Sequence, residues 1–96
     1  MPQILWDAGN WPKCSKHGLG KIDVESVFEG DVYIFDDPHP RKIETRMRAV
    51  GRVRDGRHVF EVFTMRVRAG ITFIRPISAR YMHKKEIAHH EREKNK

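Results

Sequence analysis

The stretch TRMRAVGRVRDGRHVFEVFTMRVR, residues 45–68, decides the fold. From Thr45 to Arg54 the side chains alternate: Thr45, Met47, Ala49, Gly51 and Val53 point one way, and Arg46, Arg48, Val50, Arg52 and Arg54 the other. A period of two marks a strand, because successive side chains leave a pleated backbone on opposite sides. Asp55-Gly56 reads as a two-residue hairpin turn of the primed type, so Arg57 to Arg68 runs back antiparallel. Such a loop pairs Arg52 with Val59, Val50 with Glu61, Arg48 with Phe63 and Arg46 with Met65. In that register Glu61 stands diagonally between Arg48 and Arg52, near enough to hold one of them. A bulge would change these pairs.

Upstream, Val32 to Phe35 is another strand, and the loop DDPHPR follows it, its two prolines unsuited to a helix or a central strand. Gln3 to Trp6 is a short first strand. Asn10 offers a side-chain cap, Pro12 fits a first helical turn, and Gly18 can close the short helix that carries Lys13, Lys16 and His17. A second helix begins with Asp23 as N-cap and with Ile22 and Val27 as a hydrophobic staple; it ends at Gly30 and buries Val24, Val27 and Phe28. Downstream, Gly70 ends the returning strand, Ile71 to Ile77 forms the last one, and Tyr81 to about Glu93 is a charged helix. The sum is an α+β fold: a small antiparallel sheet of four or five strands, two short N-terminal helices and one C-terminal helix. The helices are expected on one sheet face, leaving the arginine face open.

The 96 residues are 39% hydrophobic and 33% charged, which suits one small soluble domain. No run is long and apolar enough to span a membrane, and MPQILWD lacks the basic and apolar regions of a signal peptide, so the cytoplasm is the expected location. Cys14 is the only cysteine, which excludes an internal disulfide and a thiolate zinc cage and leaves a free structural thiol. Charge is distributed unevenly. Residues 1–40 carry three lysines against seven carboxylates, a net −4, whereas residues 41–80 carry eleven basic groups against three acids, a net +8. Ten of those eleven are arginine, whose planar fork suits phosphate, so a polyanionic partner is expected.

The segment ITFIRPISARYMHKKE, residues 71–86, adds two arginines to that face. On an ideal strand Arg75 and Arg80 would point to opposite sides. Pro76 cannot donate a ladder hydrogen bond, which favours an edge or a bulge, and one extra residue returns both arginines to the same side. The alternative is that Arg80 pairs with an acid such as Glu86.

Trp6-Asp7, Asn10 to Gly18 (NWPKCSKHG), Val27-Phe28, Asp36 to Pro38, Glu44 with Arg46, Gly51-Arg52, Asp55 to Arg57, Phe63-Thr64 and Arg75 to Glu86 together resemble the BrnT-type toxins of bacterial type II toxin–antitoxin systems. The resemblance implies a RelE-like fold over residues 1–96 and metal-independent RNA cleavage without a cofactor. It also implies a small ribbon-helix-helix antitoxin that wraps the toxin and whose complex binds operator DNA, with a toxin homodimer as one form within it. Such cleavage needs the 2′-hydroxyl aligned on phosphorus, charge stabilisation worth a few kcal/mol per donor, and a route for two protons. By resemblance, Arg46, Arg75, Arg80 and Lys16 are the charge-stabilising candidates, His17 and Glu44 the alternative bases, and Thr64 a donor to phosphate. Arg48, Arg52 and Ser78 are candidates for the RNA track. Arg48 stands where the family often has an apolar residue, and it either extends that track or meets an acidic antitoxin segment.

Plainer roles exist for each. His17 can be a helix C-terminal cation, Thr64 an ordinary β-branched strand residue, Glu44 an ion-pair partner of Arg46, and Trp6 and Trp11 packing residues. His83, His89 and His90 lack the spacing of a helical metal pair and read as part of a solvated tail. The competing function is a non-catalytic nucleic-acid-binding or protein-interaction module that uses the same basic face. It lacks the aromatic ladder and the GXXG clamp of common RNA-binding folds. A metal-dependent nuclease lacks a carboxylate cluster, since Asp36-Asp37 is explained as turn chemistry.

Overall fold

In a computed structural model the described residues are 2–37 and 45–94. Glu44 lies outside them. Strand β1 is Gln3–Ile4, followed by helix α1 at Trp11–Cys14 and a 3₁₀ turn at Ser15–His17. Helix α2 is Lys21–Val27, strands β2 to β5 are Tyr33–Asp36, Arg46–Arg52, His58–Arg68 and Ile71–Tyr81, and helix α3 is Lys84–Lys94. The sheet order is β1-β5-β4-β3-β2. β2 to β5 form the antiparallel meander expected from the sequence, and β1 adds an edge strand parallel to β5. The α+β class therefore holds.

The central hairpin differs from its expected register by one residue. Val53 N–H donates to Arg57 O at 3.0 Å, and Gly56 N–H donates to Val53 O at 2.9 Å. Gly56 has φ 89, so Arg54, Asp55 and Gly56 form a three-residue loop closed by a left-handed glycine. Arg52 consequently pairs with His58, Val50 with Phe60, Arg48 with Val62 and Arg46 with Thr64. A slip of one residue turns every β4 side chain to the other face. Glu61 thus sits opposite Ala49 on the face away from Arg48 and Arg52 and holds neither.

The expected bulge is present. Val62 pairs with Ser78 and Phe63 with Pro76, leaving Ile77 as the extra residue. Arg75 then faces Thr64 and Arg80 faces Phe60, which returns both arginines to one side.

Helices α1 and α2 cover the opposite side. Val24 and Val27 at 0% exposure, Leu19 at 2% and Val59 at 0% form one core cluster with Val53 and Ala79. Phe28, Ala49, Phe63 and Ile74 form a second, with the Phe28 and Phe63 rings edge-on at 5.3 Å. Each buried valine, leucine, isoleucine or phenylalanine among these contributes about 1.5–3 kcal/mol. α2 presses closely on β3: a Cβ at Gly51 would stand 3.0 Å from Val27 Cγ1 and 3.2 Å from the Val27 carbonyl oxygen.

Three local expectations are corrected. α2 starts at Lys21 behind Gly20, and Asp23 sits inside the first turn, where its carboxylate accepts from Gly20 N–H at 3.0 Å. Ile22 is 61% exposed, so it forms no staple. Asn10 is 1% exposed, and its amide donates to Leu5 O and Pro76 O at 2.9 and 2.8 Å instead of capping α1. The largest correction concerns α3, which crosses the arginine face instead of leaving it open: Glu86 and Glu91 reach Arg80 and His58. None of its described residues is buried. No helix among the described residues is long and apolar enough to cross a membrane.

Candidate functional site

The corrected pairing sets one face from three strands. β3 supplies Arg46, Arg48 and Arg52; β4 supplies His58, Phe60 and Thr64; β5 supplies Arg75, Ser78 and Arg80. Phe60 lies at its centre, with the guanidinium carbons of Arg48 and Arg80 at 5.6 and 4.9 Å from the ring centroid. An aromatic face attracts cations, so one ring positions two guanidinium groups.

Most of these arginines are already paired. Arg80 makes a two-pronged contact with Glu86, both bonds 2.8 Å. Arg75 grips Asp7 through Nε at 3.2 Å and Nη2 at 3.0 Å. Arg48 Nε donates to Asp37 Oδ1 at 3.1 Å, and Arg52 Nη2 stands 4.0 Å from Glu91 Oε1. Two-pronged pairing favours the charged carboxylate strongly. The Arg80 hydrogen bonds, aided by His83 N–H, bring Glu86 down to about 2, and the hydrogen bond from Arg75 likewise lowers Asp7. The pairing of Arg80 with Glu86 is the alternative the sequence had offered.

The other candidates are placed as follows. Lys16 and His17 lie on the exposed 3₁₀ turn, and neither forms an ion pair or side-chain hydrogen bond among the described residues. Thr64 is 2% exposed and donates its hydroxyl to Thr45 O at 2.9 Å. Ser78 is half-buried, between the two β5 arginines. Trp6 and Trp11 pack edge-on at 5.2 Å, and Trp6 Nε1 donates to Glu25 at 2.7 Å, as packing residues would. Cys14 is buried at 0% exposure, and burial raises its thiol to about 11. Among the described residues no group of three or more histidine, cysteine or acidic side chains is arranged for a metal ion.

Sequence reading missed Phe60, His58 and the carboxylates Asp7, Asp37 and Glu91. Phe60 and His58 follow from the hairpin register alone. Asp7 does not, since it is 68 residues from Arg75. His90 leaves the solvated tail to which the sequence assigned it, stacking edge-on against Tyr33 at 4.9 Å.

The family model described as the ribonuclease toxin BrnT of type II toxin–antitoxin systems matches residues 6–86. This chain belongs to the BrnT family. No curated protein matches it significantly. The BrnT match runs from Trp6 to Glu86 and so includes every arginine of the face together with the Asp7 and Glu86 carboxylates. Helix α3 beyond Glu86 lies outside the BrnT region. As a ribonuclease toxin family of type II systems, BrnT implies an antitoxin partner.

Proposed function

We propose that this chain is a metal-independent endoribonuclease toxin that cleaves RNA through attack of a 2′-hydroxyl on the adjacent phosphorus and thereby inhibits growth or translation. A small ribbon-helix-helix antitoxin neutralises it, and their complex binds operator DNA. The observation that carries the catalytic reading is the gathering of Arg46, Arg48, Arg52, Arg75 and Arg80 on one face, with Arg48 and Arg80 over Phe60. Guanidinium forks that hold carboxylates in two-pronged contacts can hold phosphate oxygens in the same way. RNA phosphates exchange with the carboxylates for the guanidinium groups of this face. In the transition state the extra negative charge on the phosphorane is then met by fixed donors, each worth a few kcal/mol.

The test is cleavage of single-stranded RNA by the purified protein in EDTA, with 2′,3′-cyclic phosphate and 5′-hydroxyl ends as the expected products. Arg80→Ala is expected to lower the rate by at least about tenfold with the fold intact. A requirement for added divalent cation would overturn the metal-independent mechanism.

A second reading, a binding module without catalysis, is favoured by the carboxylates that already occupy the guanidinium groups. It predicts RNA affinity that falls steeply with salt, and no cleavage.

A further inference from the structure

Where α3 crosses the sheet, a cavity of about 310 Å³ opens between Gly30, Tyr33, Arg52, His58, His90 and Lys94. This is the lower end of the size that holds small ligands. A wider space of about 560 Å³, lined by Phe35, Arg48 and Phe60, adjoins it, and His90 borders both. A nucleotide can therefore straddle His90, with its base beside the two phenylalanines and its phosphate among the cations. Aromatic rings are sequence-tolerant platforms for single-stranded bases.

Glu91 is shared by three partners: Lys94 Nζ at 2.9 Å, His58 Nε2 at 3.2 Å and Arg52 Nη2 at 4.0 Å. Asp31 is the acid that lines the cavity itself. Arg52 and Lys94 line the cavity and can donate to the oxygens of a phosphodiester there. We propose that His58 and His90 are the acid and base that move the two protons of RNA cleavage, acting on a phosphodiester held by Arg52 and Lys94.

This rests on the ribonuclease reading and replaces His17 and Glu44 as the proton-transfer groups. The two imidazole centroids are 6.3 Å apart. A phosphodiester can bridge that span when each nitrogen is within hydrogen-bond reach of one reacting oxygen. Burial lowers the pKa of His90 against the opposing charge of Glu91, and the charges of Lys94, His58 and His89 lower it further, which favours the neutral ring that can accept a proton. Glu91 accepts from His58 Nε2, fixing that ring and leaving Nδ1 for the reaction. His90 takes the 2′-hydroxyl proton as the 2′-oxygen bonds to phosphorus. The bond from phosphorus to the 5′-oxygen breaks, and the His58 imidazolium protonates the leaving 5′-oxygen. The products are a 2′,3′-cyclic phosphate and a 5′-hydroxyl, and exchange with solvent restores both rings.

The experiment compares the pH–rate profiles of the wild type, His58→Gln and His90→Gln on RNA. Each variant is expected to lose about 10²- to 10⁴-fold in rate. His90→Gln should remove the acidic limb of the bell and His58→Gln the alkaline limb, while salt-dependent RNA affinity and the melting temperature stay near wild type. Because either variant can loosen α3, a second measurement uses the intact protein: the imidazole proton resonances of His58 and His90 should shift on titration with a short deoxyoligonucleotide, which lacks the attacking hydroxyl. Wild-type cleavage with both variants retaining the full rate and the full bell would overturn the assignment alone, as would imidazole resonances that do not move. No cleavage by the wild type would overturn it together with the ribonuclease reading.

Discussion

Against α2, the sheet buries Val24, Val27 and Val59 at 0% exposure and Ala79 at 1%. Against α3, the same sheet meets Glu86 and Glu91 with Arg80, Arg52 and His58, and no residue of the helix is buried. The first contact is driven by removal of apolar surface from water, which is indifferent to pH and only weakly sensitive to salt. The second consists of partly exposed ion pairs, individually worth little and replaceable by another anion. One sheet therefore carries a permanent apolar contact and exchangeable ionic contacts, and the exchangeable ones lie over the arginines.

The strongest way to break this contrast is to cut one apolar side chain on each side. Phe63→Ala, at 2% exposure beside Phe28, should cost about 3–5 kcal/mol in chemical denaturation. Ile87→Ala on the half-buried face of α3 should cost less than about 1 kcal/mol. Equal losses would mean that α3 belongs to the core.

The core side contains one group that does not fit it. Glu61 is 0% exposed, and neither carboxylate oxygen has a hydrogen-bond partner among the described residues. Burial pushes its pKa well above the usual range, which favours the neutral, protonated carboxyl in the folded chain. Replacing it with an apolar residue of similar size, Glu61→Met, should stabilise the protein by about 1–3 kcal/mol. The pH dependence has a definite sign. Below the unfolded pKa both states bind the proton, and stability is greatest. As pH rises from there through the raised folded pKa, only the folded state keeps its proton, so stability declines before levelling off. The difference between Glu61→Met and wild type should therefore widen with pH, and a difference that is constant with pH would show that the carboxyl is not buried and neutral.

The hairpin was legible because Arg46, Arg48, Arg52 and Arg54 all fall on one set of alternate positions, with Met47, Ala49, Gly51 and Val53 on the other, a pattern only a strand explains. Its register was not, because Asp55-Gly56 fits a two-residue loop and a three-residue loop equally well, and the choice moves Glu61 from one face to the other. The bulge near Pro76 was legible for the opposite reason: a missing N–H allows few placements in a ladder. The arginine row of the candidate site followed from that alternation and that bulge. Its partners did not, because Asp7 meets Arg75 across 68 residues and His58 meets Glu91 across 33. Only Glu86, six residues from Arg80, was near enough in the chain to be named in advance. The position of α3 was hidden as well, since KKEIAHHEREK shows the charge pattern of a solvated helix and docks through those same charges.

The smallest expected effect is the most informative about the exchangeable contacts. Glu86→Gln removes the anion that holds Arg80 and should change global stability by no more than about 1 kcal/mol, because the pair is partly exposed. Amide hydrogen exchange in α3 should nevertheless accelerate severalfold, with β3 and β4 unaffected, since local opening draws on local contacts. The wild type should show the same opening in acid. With Glu86 held down to about 2, the stabilisation from its pair is complete above the unfolded pKa of the carboxyl and is lost as pH falls toward 2. In the Gln variant that acid step should shrink to the part contributed by Glu91. If exchange in α3 were equally slow in both proteins at neutral pH, the helix would be held by something other than the Glu86–Arg80 pair, and release of Glu86 would not be the step that exposes Arg80 to phosphate.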